Sequence, residues 1–208
     1  MKRYIVATAT PDFENLYDFS SFHMKADENS YWGDPKQPIQ SSLCKRLNNK
    51  PINTLTLEDI VVLYTMRDAK FNYQLYDGNF IKWLANAWER HEEDFRSCYN
   101  WVHTLTFPLT IYRAVTDEQE LTQDISGKSK AWSWTTDPNL YSADNSIFKK
   151  CKNIYSAEIN ANVISNIYTI SNFVFYSSRP QYGRYPEYEI TLKDRFKMSD
   201  LYNLTKIK

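Results

Sequence analysis

Cysteine, glycine, net charge and long apolar runs are all scarce in this chain of 208 residues, and each shortage removes a class of protein. The three cysteines, Cys44, Cys98 and Cys151, are odd in number and far apart. With no CxxC and no Cys/His spacing they argue against a zinc site. A reducing, cytoplasmic setting fits them. Twenty-five basic residues balance 25 acidic ones, so a broad basic field for nucleic acid is missing. No stretch reaches the length of a membrane-spanning helix, so no membrane partner is expected. The first residues, Met-Lys-Arg-Tyr-Ile-Val-Ala-Thr-Ala, are too briefly apolar for a signal peptide and run into Thr10 and Pro11.

What the chain has is aromatic surface. Sixteen Tyr, eleven Phe and six Trp make 16% of it, beside only four Gly. Tyr and Trp suit half-buried positions where one end needs a polar partner. A Tyr-rich core and strand surface is the ordinary reading, ahead of a dedicated platform for stacking bases.

Three stretches divide the chain. Residues 1–53 carry weak signals: a short strand at Tyr4–Ala9, a short helix near Ser41–Leu47, and turns at Asp34–Pro38 and Asn48–Pro51. Residues 54–107 read as helical and are expected to shape a cleft. Thr56 can cap a helix from Leu57, with Glu58 and Asp59 opposing the dipole in its first turn. After a turn at Asp77-Gly78-Asn79, Phe80, Leu84, Trp88, Phe95, Tyr99 and Val102 form one apolar stripe at helical spacing. Beyond Phe107-Pro108 the period falls to two, and residues 108–208 read as β-rich. Strands are predicted at 109–115, 131–136, 154–159, 163–170, 172–178 and 187–192. The expected class is α+β, with helices packed against one sheet system in one compact unit.

Three of those strands carry a polar group where a buried strand ordinarily has an apolar one. In 109–115 Arg113 shares a face with Leu109, Ile111 and Val115. A guanidinium there needs a partner, and alone it reads as a buried ion pair or as a side chain reaching out to water. Ser133 lies with Ala131 and Thr135, backed by Trp132 and Trp134; alone it reads as a Thr/Trp-rich strand. Glu187 and Glu189, at i and i+2, share a strand face about 7 Å apart, where they repel unless water or a cation intervenes. Alone they read as the solvated side of an antiparallel strand. The joint occurrence in this order is the stronger signal.

Taken together, Ile111-Tyr112-Arg113-Ala114-Val115, Ser133-Trp134-Thr135-Thr136-Asp137 and Glu187-Tyr188-Glu189 resemble the arginine, Ser-Thr-Ser and Glu-x-Glu motifs of the mono-ADP-ribosyltransferases, in the Ser-Trp-Thr form of some bacterial and phage members. Separations of 20 (133 − 113) and 56 (189 − 133) residues suit such a domain. The resemblance covers roughly 57–192. It departs at Ala114, where many members have glycine for close approach to nicotinamide.

The resemblance implies a split antiparallel β-sandwich with a helical N-terminal part, and NAD+ as a consumed substrate, with no metal and no bound redox cofactor. It assigns Glu189 to the ribosyl cation and the ribose 2′-hydroxyl, Arg113 to phosphates or ribose, and Ser133 to positioning Glu189 or the ribose. It assigns Glu187 to aligning and deprotonating the acceptor, most naturally an arginine of a protein. Contacts to NAD+ are expected from Arg113, Ala114, Ser133, Trp134, Thr135 and Glu189. A turn-turn loop touching the acceptor is expected within 171–187, and Tyr141, Phe148 and Phe173 are candidates to stack on nicotinamide. The implied setting is cytoplasmic, that of a host cell for a phage protein, toxin or effector.

Other readings stay open. They are ADP-ribosylation of a small molecule or of a nucleic acid, the latter with a Tyr-rich loop at 182–188 stacking on a base, and a catalytically silent binding or inhibitor module. A glycosidase is disfavoured, because neighbouring residues of one strand cannot flank both sides of a sugar.

Overall fold

The computed structural model describes residues 11–19, 42–71, 80–118, 121, 133–141, 151, 153–178, 187–193 and 196–208. The predicted strand at Tyr4–Ala9, the turns at Asp34–Pro38 and Asp77–Asn79, and residues 182–186 lie outside them.

The helical part forms where capping and spacing call for it. Helix α1 is one short turn, Phe13–Leu16, and α2 spans Ser42–Asn49. Helix α3, Leu57–Phe71, opens on a reciprocal cap. Thr56 Oγ1 accepts from the Asp59 N–H at 3.2 Å, and Asp59 Oδ2 accepts from the Thr56 N–H at 2.9 Å. Two amides with no partner inside the helix are thereby satisfied. Asp59 also accepts from Tyr17 Oη at 2.7 Å and Lys50 Nζ at 2.6 Å, so its carboxylate ties α1 and the end of α2 to the start of α3.

Helix α4, Phe80–Thr104, buries Phe80, Leu84, Ala87, Trp88, Phe95, Cys98 and Val102. Each such side chain of Leu or Phe size contributes about 1.5–3 kcal/mol. Tyr99, expected in this stripe, is only partly buried. The helix bends at His91 (φ −132°, ψ 18°), whose ring lies between Tyr64 Oη and the Asp94 carboxylate.

Beyond the cis Phe107–Pro108 peptide the strands begin. They are β1 Leu109–Val115, β2 Ser133–Thr135, β3 Asn153–Ile159, β4 Glu189–Thr191 and β5 Tyr202–Lys206. They form one five-stranded sheet, every pair antiparallel, in the order β4-β2-β1-β3-β5. The class is α+β. One continuous core runs from Ile60, Leu63 and Phe95 of the helices to Ile111, Trp134, Ile159 and Ile190 of the sheet.

Two predicted strands are replaced. Residues 163–170 and 172–178 form a 3-10 turn at Ala161–Val163 followed by helix α5, Asn166–Ser177. The Ile, Tyr, Thr, Phe and Val content favours strand by propensity. But Asn166–Ser171, Phe173 and Val174 are all buried, and a helix apolar on most sides is stable when enclosed. Helix α5 packs against α3, α4 and α2 and lies over β4. Its N-terminus is locked to α2. Asn48 Oδ1 accepts from the Ile167 N–H at 3.2 Å, while Asn166 Nδ2 donates to the carbonyls of Leu47 and Lys50 at 2.8 and 2.5 Å. The expected loop at 171–187 is therefore helix through Ser177.

Strand β5 has no clear alternation in the sequence. Its backbone passes through a left-handed Asn203 (φ 51°), and its pairing with β3 is irregular between Ser156 and Glu158. Asparagine tolerates that conformation better than most residues.

Candidate active site

Arg113, Ser133 and Glu189 arrive from three hydrogen-bonded neighbours, β1, β2 and β4. Tyr112 pairs with Thr135, and Thr135 in turn with Glu189. That register places Ser133, Thr135, Glu189 and Thr191 on one face with Tyr112 and Ala114. Arg113 and Trp134 belong to the alternate set, yet the guanidinium reaches the next strand. Arg113 Nη1 donates to the Ser133 carbonyl at 2.6 Å. Ser133 Oγ donates to Glu189 Oε1 at 2.5 Å. Ser133 thus links the cation, through its main-chain carbonyl, to the carboxylate, through its hydroxyl, across three strands.

These groups border one open hollow of about 340 Å³, lined by Arg113, Ala114, Ser133, Trp134, Thr135, Leu140, Tyr141, Tyr176, Glu187 and Glu189. All six residues expected to contact NAD+ are among them, though they differ in character. Ser133 is exposed and Glu189 half-buried, whereas Trp134 and Thr135 are buried. Trp134 belongs to the core. The Thr135 hydroxyl is already engaged: it donates to the Glu187 carbonyl at 2.6 Å and accepts from the Asp137 N–H at 3.0 Å. It thereby fixes the main chain on both sides of the site.

Glu187 and Glu189 both face the hollow, but not as alternate residues of one strand. Strand β4 begins at Glu189, and Tyr188 between the two sits at φ 46°, outside extended geometry. For a bulky residue that conformation costs about 1–2 kcal/mol. Aromatic packing holds it there. Trp101 of α4 stacks on Phe173 of α5 (4.8 Å, 18°), and both contact the Tyr188 ring, at 5.9 and 6.2 Å. Burial, and then the charge of Glu189, raise the Glu187 carboxyl above its ordinary range. A half-buried carboxylate with elevated basicity beside a second carboxylate is suited to taking a proton.

Of the aromatic candidates, Tyr141 borders the hollow. Burial pushes its phenol up to about 12, against the opposing influence of the Ala114 backbone and the Arg113 charge, and its hydroxyl donates to the Tyr112 carbonyl at 3.3 Å. Phe173 is instead buried in the Trp101 stack, and Phe148 lies outside the described residues.

Sequence reasoning missed Tyr176, Asn172 and Arg67. Tyr176 borders the hollow from α5. Asn172 Nδ2 donates to Glu189 Oε1 at 2.9 Å. Arg67 of α3 lies over the Tyr168 ring at 5.8 Å, and burial lowers its basicity against the attraction of Tyr168 and Glu189. Once 166–177 is known to be helical, Thr169, Asn172 and Tyr176 share one face at i, i+3 and i+7, and that spacing is the signal for two of the three.

Among the described residues no cluster of three or more His, Cys, Asp or Glu could hold a metal ion, and no helix is long and apolar enough to cross a membrane. Comparison of the chain with protein-family models, with curated proteins and with solved structures gives no match.

Proposed function

We propose that this protein is a mono-ADP-ribosyltransferase that consumes NAD+, releases nicotinamide and transfers ADP-ribose to an arginine of a protein acceptor, on an α+β fold of that family's type. One observation carries the reading. The Arg, Ser and Glu whose order suggested it come from adjacent strands and are bonded in series beside one hollow, Arg113 to the Ser133 carbonyl and the Ser133 hydroxyl to Glu189.

The chemistry follows from the charges. As the bond between nicotinamide and ribose C1′ breaks, its electron pair leaves with nicotinamide and positive charge grows on the ribose. A preorganised carboxylate at that position stabilises the charge, which is the role of Glu189. Arg113 offers a planar donor fork for ribose or phosphate oxygens. At about 340 Å³ the hollow is near the lower end of ligand pockets, roughly 300–1,000 Å³, which suits the nicotinamide–ribose end with the rest of the dinucleotide outside it. Glu187 pairs with an incoming guanidinium and takes its proton as the acceptor nitrogen bonds to C1′.

The test is nicotinamide release from NAD+ by the purified protein, alone and with cell lysate, followed by identification of the macromolecule labelled from radiolabelled NAD+. Label on protein arginine supports the reading. Label on nucleic acid or a small molecule corrects the acceptor, and no nicotinamide release under either condition removes the reading.

A further inference from the structure

Glu189 Oε1 takes three donors: Ser133 Oγ at 2.5 Å, Asn172 Nδ2 at 2.9 Å and Thr191 Oγ1 at 3.4 Å. Asn172 Nδ2 also donates to Thr191 Oγ1 at 3.3 Å. The helix that carries Asn172 is pinned to the same strand one turn earlier, where Thr169 Oγ1 accepts from the Thr191 N–H at 3.0 Å. One turn later Tyr176 borders the hollow. A single polar stripe of α5 therefore follows β4 to the site.

We propose that Asn172 is a positioning residue for Glu189: its amide, held by α5, completes the occupation of Oε1 and leaves Oε2 as the oxygen presented to the hollow. The inference rests on the proposed function in taking Glu189 as the reacting carboxylate. An oxygen with two lone pairs that already accepts three donors has no capacity left for a ligand. Among the described residues, the charged and titratable groups that share the site with Glu189 are Arg67 from α3, Glu187 from the segment before β4, Arg113 from β1, and Tyr141 and Tyr176 at the rim. Arg67 attracts and Glu187 repels the Glu189 charge, while Asn172 acts by direct hydrogen bonding. Asn172→Asp keeps the shape and replaces a donor by a like charge; Asn172→Leu keeps the volume and removes the donor.

The experiment uses the full chain labelled with ¹³C-carboxyl glutamate, the Glu189 resonance being assigned by its loss in Glu189→Gln. The chemical shift of that carboxyl is compared at neutral pH in the parent protein and in both variants, and kcat and KM for nicotinamide release are recorded beside it. Asn172→Asp and Asn172→Leu are each expected to move the Glu189 resonance and to lower kcat ~5–30-fold, with KM within about threefold of the parent. Should Asn172→Asp not fold, Asn172→Leu carries the test. An unmoved resonance and an unchanged kcat in the folded variants would overturn the positioning role and leave the transfer reading standing. A moved resonance in a protein that releases no nicotinamide would support the Asn172–Glu189 tie and remove the transfer reading.

Discussion

Replacing Glu189 by glutamine separates charge from shape unusually well at this site. Every hydrogen bond that Glu189 receives from Ser133, Asn172 and Thr191 ends on the same oxygen, Oε1. In the Glu189→Gln variant the side-chain carbonyl can take that place and keep all three donors, with its NH2 group in the position of Oε2. The fold should be little affected, because the half-buried carboxylate is exchanged for an isosteric neutral group whose partners persist. What disappears is the negative charge that the proposed reaction sets against the developing ribosyl cation. Removing one preorganised electrostatic group of this kind costs about 2.7–4 kcal/mol, or ~10²–10³-fold in kcat. Nicotinamide release under saturating NAD+ reads that loss, and urea unfolding of the same preparation checks that the protein remains native. Activity within about threefold of the parent in a protein of unchanged midpoint would refute the assignment, since threefold corresponds to only ~0.65 kcal/mol.

Ser133→Ala removes one donor to Glu189 while Asn172 and Thr191 remain. A charge-assisted bond from an exposed hydroxyl is worth about 1–2 kcal/mol here, so kcat/KM for NAD+ should fall ~5–30-fold; no change would show that Ser133 does not hold the carboxylate in the reaction. Glu187→Gln should abolish transfer to the acceptor and preserve NAD+ hydrolysis. Equal loss of both would remove Glu187 as acceptor base. Because Glu187 is raised by burial and by the Glu189 charge, transfer should increase as pH rises through a value above the ordinary ~4.3, and in Glu189→Gln that value should move down. Asp59→Asn should destabilise the protein by about 2–4 kcal/mol at neutral pH, since a buried carboxylate loses charge-assisted bonds to Lys50, to the Thr56 N–H and to Tyr17. Burial alone would raise the Asp59 carboxyl, but those bonds hold it below its usual range, so its stabilisation is present above about pH 4 and is lost as pH falls through the depressed value. The gap between parent and variant in chemical unfolding should accordingly narrow in acid, and a gap constant with pH would contradict this.

The legible parts of the chain are those where a local rule and the tertiary environment agree. Thr56 and Asp59 exchange cap bonds because a hydroxyl and a carboxylate three residues apart fit the first turn of a helix in any context. Strand β1 occupies the predicted span, Leu109–Val115, since its alternation is unopposed by turn residues. The three polar strand residues were visible as anomalies, and anomalies mark sites more clearly than they mark folds. Strand β5 was not legible, because Tyr202, Asn203, Leu204, Thr205 and Lys206 present no apolar alternation and their pairing with β3 is irregular.

Helix α5 shows why the remainder was hidden. Its β-branched and aromatic residues would favour a strand in isolation, and only enclosure by α2, α3, α4 and β4 makes the helical arrangement the better one. The asparagines that secure it, Asn48 and Asn166, are 118 residues apart (166 − 48), so no window of sequence contains both sides of the bond network. The misreading also concealed two residues of the site, Asn172 and Tyr176. In a strand, Asn172 and Tyr176 would have been two of several residues alternating along one face. In a helix they extend from Thr169 along one stripe, with Asn172 on the carboxylate and Tyr176 at the rim of the hollow. The motif residues of the sheet were therefore sufficient to locate the hollow, while the amide that holds its carboxylate comes from an element whose secondary structure is decided by its neighbours.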